Sequence, residues 1–151
     1  MTDNQYLFNQ VLIVLRRIKH AMDRHSSQLA QQHGITLPQL LILGELARLK
    51  EVSVGNLAEH VSLSQATVTE ILERLEKRGF VQRRRSDLDK RRVITHVTET
   101  GRNFLANAPP LLHEDFVNEL SRFEEWERTQ LLSLLQRIAF MMEGRSFGVS
   151  S

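Results

Sequence analysis

The stretch RRRSDLDKRRVITHVTETG, residues 83–101, decides the fold. Its first ten positions hold six arginines and lysines around Asp87 and Asp89. The segments FVQRRRS and RRVITHV flank the turn-forming DLDK, a pattern that predicts two short antiparallel strands. The result is a β-hairpin with a strongly positive tip. Thr98 then supplies a helix-start signal.

The charge is local. From Arg74 to Arg92 the chain carries nine basic and three acidic residues, so this segment is +6 while the whole chain is only +2. A basic patch on an otherwise acidic protein suits a polyanion such as a nucleic acid. The alternative is an ordinary solvated charged surface.

Upstream, SLSQATVTEILERLEKRG predicts a helix with Ser64 as N-cap and Gly79 as stop. Val68, Ile71, Leu72 and Leu75 fall at i, i+3, i+4 and i+7 and form one buried stripe. The other side carries Ala66, Glu70, Glu73 and Lys77, with Thr67, Thr69 and Arg74 beside them. The first turn, Ser64, Gln65, Ala66, Thr67 and Thr69, is small and polar. It fits a major groove, where hydroxyl and amide groups meet phosphates and base edges and Ala66 meets a thymine methyl. Glu70 with Arg74, and Glu73 with Lys77, are helical ion pairs. SVGNLAEHV predicts a shorter helix opened by Ser53, with a turn at Ser62 between the two. Spacing alone also fits an ordinary amphipathic helix pair. The basic hairpin directly after it makes the combination a winged helix-turn-helix. In that reading Arg91 enters a minor groove, Asp89 orients its guanidinium, and Arg83, Arg84, Arg85, Lys90 and Arg92 meet phosphates.

Further out, residues 5–33 predict one long helix, with Leu7, Val11, Val14, Ile18 and Met22 at helical spacing and Gly34 as its cap. Thr36 and Pro38 open a second helix over LPQLLILGELARL. Downstream of the hairpin, a helix from Thr98 is interrupted or restarted at APP, residues 108–110. A last helix runs from about Glu124 to Glu143, before a frayed tail. The two terminal helices carry more apolar surface than a small winged domain needs. Covering one another across a two-fold axis would bury it. Packing within one chain is the alternative.

Composition removes several function classes. The 151 residues contain no cysteine, which excludes disulfides, thiolate zinc sites and thiol redox sensing. The start MTDNQYLFNQ lacks a signal-peptide pattern and no run is long enough to span a membrane, so a cytoplasmic location is expected. His20, His25, His33, His60, His96 and His113 are scattered without metal-pair spacing. GNLAEH lacks the Gly-Lys-Ser/Thr ending of a phosphate loop. Neither an enzyme nor a cofactor is expected.

With these residues in view, the sequence resembles the MarR family of winged-helix regulators. LPQLLILGEL is similar to that family's second helix, and LSQATVTEILERLEKRGFVQR to its recognition helix. DLDKRRVITHVTETG resembles its wing signature, with Asp89, Lys90 and Arg91 followed by Val97, Thr98 and Gly101; valine stands where the family has leucine. The resemblance implies a mainly α fold with a β-hairpin wing. It implies a winged domain over 35–101, dimerisation helices over 1–34 and 102–145, and a flexible tail over 146–151. It also implies a homodimer on a pseudo-palindromic operator in double-stranded DNA, acting as a repressor under a small-molecule effector. RRIKHAMDRHSSQL, SVGNLAEHVSLSQATVT, APPLL and WER are similar to a proteobacterial subgroup regulating compatible-solute genes, which suggests glycine betaine or ectoine. A quaternary ammonium is held by aromatic faces and a carboxylate. Tyr6, Phe8 and Trp126 are candidate walls and Asp23 the candidate carboxylate, with His25 beside it. The alternative place for Phe8 and Trp126, and the one favoured, is the dimer core. The other effector class is an aromatic carboxylate held by Arg16 or Arg17. A winged-helix adaptor that binds protein is the remaining alternative, which steep salt dependence would exclude.

Overall fold

In the computed structural model, residues 2–144 are described; the tail expected over 146–151 lies outside them. Helix α1 (Asp3–His33) begins where the Thr2 hydroxyl accepts the Gln5 N–H. It ends at Gly34, whose φ of 67° is the left-handed conformation that glycine adopts without a Cβ penalty. Helix α2 (Leu37–Leu49) opens with a reciprocal capping box. The Thr36 hydroxyl accepts the Gln39 N–H, and the Gln39 side-chain oxygen accepts the Thr36 N–H at 3.1 Å. Leu40, Ile42, Leu43 and Leu46 of α2 are buried at the centre of the core.

Strand β1 (Val52–Ser53) leads into α3 (Val54–Val61), with Ser53 as N-cap. Ser62 closes α3 in a left-handed conformation, φ 56°, and turns the chain into α4 (Gln65–Lys77). Strands β2 (Val81–Arg85) and β3 (Val93–Val97) form the hairpin, paired from Val81↔Val97 to Arg85↔Val93. The expected hairpin is therefore present, and β1 joins it at Val52↔Thr95 to give the antiparallel order β1-β3-β2. Two residues carry no alternation to read, so β1 has no signature in the sequence. Its pairing anchors the wing to the start of α3.

Helix α5 (Glu99–Ala106) is capped by Thr98, which accepts the Gly101 N–H at 3.1 Å. A Cβ on Gly101 would lie 2.2 Å from the Phe80 carbonyl oxygen and 2.7 Å from Val97 Cγ1, so nothing larger fits. The Thr98 hydroxyl also donates to the Gly79 carbonyl, and its N–H to that of Phe80. Thr98 and Gly101 thus lock the end of the hairpin onto the stretch that leaves α4.

The chain divides into two compact units after Leu111, so α1 and α5 fall in one unit with the winged elements. The second unit holds α6 (Glu114–Ser121) and α7 (Glu125–Met142). Helix α5 stops at Ala106, before the prolines, and the path restarts as the separate helix α6. Among the described residues no helix is long and apolar enough to cross a membrane.

Candidate nucleic-acid interface

The expected stripe on α4 is buried: Val68, Ile71, Leu72 and Leu75 are between 0 and 8% exposed. This fixes the rotation of the helix and leaves Gln65, Ala66, Thr67, Glu70 and Glu73 in solvent, with Thr69 partly covered. The Ser64 hydroxyl accepts the Thr67 N–H at 3.1 Å and lies 2.8 Å from the Thr67 hydroxyl. It is therefore occupied as a cap, and the remaining free N–H groups of that turn favour an anion. The Gln65 carboxamide lies against Gly55 of α3; a Cβ there would be 3.3 Å from Gln65 Nε2.

The basic residues separate into pinned and free ones. The Glu76 carboxylate accepts from Arg83 Nε at 3.3 Å, from Nη2 at 3.1 Å and from the Arg83 backbone N–H at 3.1 Å. Hydrogen bonds from Arg83 hold the Glu76 carboxyl below the usual glutamate range, against some burial. The same contacts raise Arg83. Arg84 pairs with Glu51 and, at 3.4 Å, with Asp87. Arg78 donates to the Gly34 carbonyl at 2.6 Å. Arg74 pairs with Glu70 at 3.0 Å, whereas no Glu73–Lys77 pair forms among the described residues. Arg83 and Arg84, expected to meet phosphates, are each paired with carboxylates within the chain, Arg83 bracing β2 on α4 and Arg84 bracing β2 on the segment before β1.

The free cations cluster at the wing. Lys90, Arg91 and Arg92 are exposed and form no ion pair among the described residues. Arg85 is exposed and donates to the Lys90 carbonyl at 3.3 Å. Asp89 does not grip the Arg91 guanidinium as expected. Its Oδ1 accepts the Arg91 backbone N–H at 3.0 Å, and the buried Ser86 oxygen accepts the N–H groups of Leu88 and Asp89. A carboxylate two residues before an N–H closes a local turn with little ordering of long side chains, so it prevails over an exposed ion pair. Asp89 therefore shapes the tip and leaves the Arg91 side chain available.

Five of the six candidate effector residues lie on α1 and Trp126 lies on α7. Tyr6 and Asp23 lie on the same helix, about 25 Å apart along it at 1.5 Å per residue. Asp23 pairs with Lys19 at 2.8 Å. His25 does not pair with Asp23; its Nε2 lies 3.3 Å from the Pro110 carbonyl. Arg16 is exposed, and Tyr6, Phe8 and Trp126 are 57, 61 and 66% exposed. About four to five helical turns of α1 separate Tyr6 from Asp23. The residues that sequence reasoning missed are Glu51 and Glu76, because each meets its arginine only after the chain has turned.

Comparison with known proteins agrees with this geometry. Residues 35–93, from before α2 to the start of β3, match the model of the MarR family. The HTH-type transcriptional regulator MgrA of Staphylococcus aureus is 31% identical over 132 residues, spanning 81% of this chain and 90% of that protein. The transcriptional regulator BldR from Sulfolobus solfataricus superposes with a TM-score of 0.72 at 26% identity, over 92% of this chain and 98% of its own. Reduced AbfR bound to DNA superposes with a TM-score of 0.69 at 25% identity, over 93% and 96%. The chain belongs to the MarR family of winged-helix transcriptional regulators.

Proposed function

We propose that the protein is a dimeric repressor that binds a pseudo-palindromic operator through α4 and the wing, under control of a small-molecule effector. The observation that carries the DNA-binding mode is the sorting of charge: Arg83 and Arg84 stiffen the hairpin, while Arg85, Lys90, Arg91 and Arg92 stay unneutralised at its tip. A stiff, positively charged tip beside an open polar helix turn suits phosphate contact and groove insertion. AbfR, similar in fold, is known bound to DNA. Selection of duplexes from a random library by the wild-type protein tests this reading. Enrichment of an inverted repeat with half-sites about one helical turn apart is expected. Recovery of unrelated duplexes would overturn it.

Dimerisation through residues 1–34 and 102–145 is supported by unpartnered apolar faces. On α1, Leu7, Val11, Val14 and Ile18 are 40–55% exposed. On α7, Leu134, Leu135 and Met142 are exposed. A second copy of the chain covers such faces symmetrically. For the effector, the absence of cysteine leaves a small molecule rather than a thiol switch. The compatible-solute resemblance favours glycine betaine or ectoine. Such zwitterions bury little area, so affinity on the order of micromolar to millimolar is expected. Isothermal titration with betaine, ectoine and salicylate tests the assignment; heat from salicylate alone would contradict it.

A further inference from the structure

The end of the recognition helix is tied to the end of α1 by one side chain. Arg78, the C-cap residue of α4, donates from Nη1 to the Gly34 carbonyl, the cap of α1, at 2.6 Å. Its Cζ lies 4.6 Å from the Phe80 ring centroid and 5.5 Å from that of Phe104. The two rings stack on each other at 4.6 Å. Phe80 is itself immobilised: it is 6% exposed and its carbonyl accepts the Thr98 N–H at 2.9 Å. The guanidinium is thus held between an aromatic pair fixed to β2 and α5 and the negative end of the α1 dipole. A planar, weakly hydrated guanidinium satisfies both sides at once, which an ammonium cannot.

The last third of α1 is fastened to the same unit elsewhere too. Ser26 Oγ accepts the Leu37 N–H at 3.0 Å, and His25 meets the Pro110 carbonyl at 3.3 Å. Neither contact reaches α4. Leverage makes the Arg78 contact matter. Helix α4 has 13 residues, and Arg78 follows its last turn while Gln65 to Thr69 begin it. A rotation of about 10° about the Arg78 end of a helix roughly 20 Å long moves the other end by roughly 3 Å, about one base-pair step.

We propose that Arg78 is a positioning residue that sets the pitch of α4 against α1 and thereby the distance between the two half-sites the dimer accepts. This rests on the dimeric reading above. The test uses the full chain and the duplex selected by the wild type, rebuilt with zero, one and two base pairs inserted or removed between half-sites. Each insertion moves one half-site about 3.4 Å and turns it roughly 35°. The wild type should lose at least about tenfold in affinity per step, the equivalent of roughly 1.4 kcal/mol. Arg78→Met keeps the apolar stem and removes the donor and charge. It should flatten the series to within about threefold, with Arg78→Lys between the two. If Arg78→Met fails to fold, Arg78→Lys carries the series. A variant that binds every spacing more weakly by the same factor has lost only stability, and overturns the proposal. A wild type indifferent to spacing overturns it as well, by removing the two-half-site premise instead.

Discussion

Helices α4 and α1 are both amphipathic, yet the chain treats them in opposite ways. The apolar stripe of α4 is covered within its own unit, 0 to 8% exposed, while that of α1 stands 40 to 55% exposed at Leu7, Val11, Val14 and Ile18. The last third of α1 is anchored at His25, Ser26 and Gly34, with Leu29 buried. A stripe buried within one unit specifies orientation, and here it aims Gln65 to Thr69 outward. A stripe left open suits the proposed assembly, because apolar surface of that extent along one helix is unusual for a monomer. The same hydrophobic pattern is thus buried in one helix and open in the other, distinguished by what lies beside it.

The sharpest way to break this contrast is to disrupt each stripe. Val14→Asp should leave the winged unit folded but weaken dimerisation by about 3–5 kcal/mol, as for an unpaired ion in an apolar interface. Leu134→Asp should do the same. Sedimentation at micromolar concentration reads this as loss of the dimer, and intact dimers from both variants would place these side chains elsewhere. On α4 the parallel change acts on folding. Leu72→Ala, at a side chain with 0% exposure, should cost about 2–5 kcal/mol of stability, measured by urea unfolding.

Smaller effects sharpen the division between pinned and free charges. Arg91→Ala should weaken binding to the selected duplex by about 1–3 kcal/mol without changing dimerisation. Asp89→Asn keeps an oxygen for the Arg91 N–H and removes a charge, so it should bind at least as well as wild type. Asp89→Ala should bind less well by opening the turn. Equal affinity for these two variants, read by fluorescence anisotropy, would show that the turn contact is irrelevant.

The smallest effect lies in the braces. Glu76→Gln should cost about 1 kcal/mol of stability, since neutral hydrogen bonds replace charge-assisted ones. The sign with pH follows from the lowered pKa of Glu76. A carboxyl whose folded value lies below its ordinary value of 4.5 stabilises the fold above that value. The contribution disappears as pH falls from 4.5 through the folded value. Melting of the wild type should therefore drop over that acid window more steeply than melting of Glu76→Gln; parallel curves would remove Glu76 from the account.

Much of this was legible in the sequence, and the limits have physical causes. Caps at Thr36, Ser53, Ser64 and Thr98 and the stop after α1 at Gly34 are local devices, set by residues within four positions. The α4 stripe is a period, readable without partners. The pairings Glu76 with Arg83 and Glu51 with Arg84 are not, because they join residues across a turn and across the sheet. Strand β1 is too short for a period. The Asp89 contact is hidden for a related reason: the sequence names a carboxylate beside an arginine, but only the folded turn shows that it meets the Arg91 backbone N–H.

The central claim is that the wing cations left unpaired by the fold engage DNA phosphates, and salt tests it most directly. Affinity for the selected duplex is measured from low to moderate salt for the wild type. Between two and four phosphate contacts per protomer, doubled in a dimer, give a slope of log K against log salt between about −4 and −7. Arg92→Ala, which removes one such cation from each protomer, should make the slope shallower by about 2. A wild-type slope near zero, or an Arg92→Ala slope unchanged beside an Arg83→Ala slope that falls, would contradict the assignment of free and pinned charges.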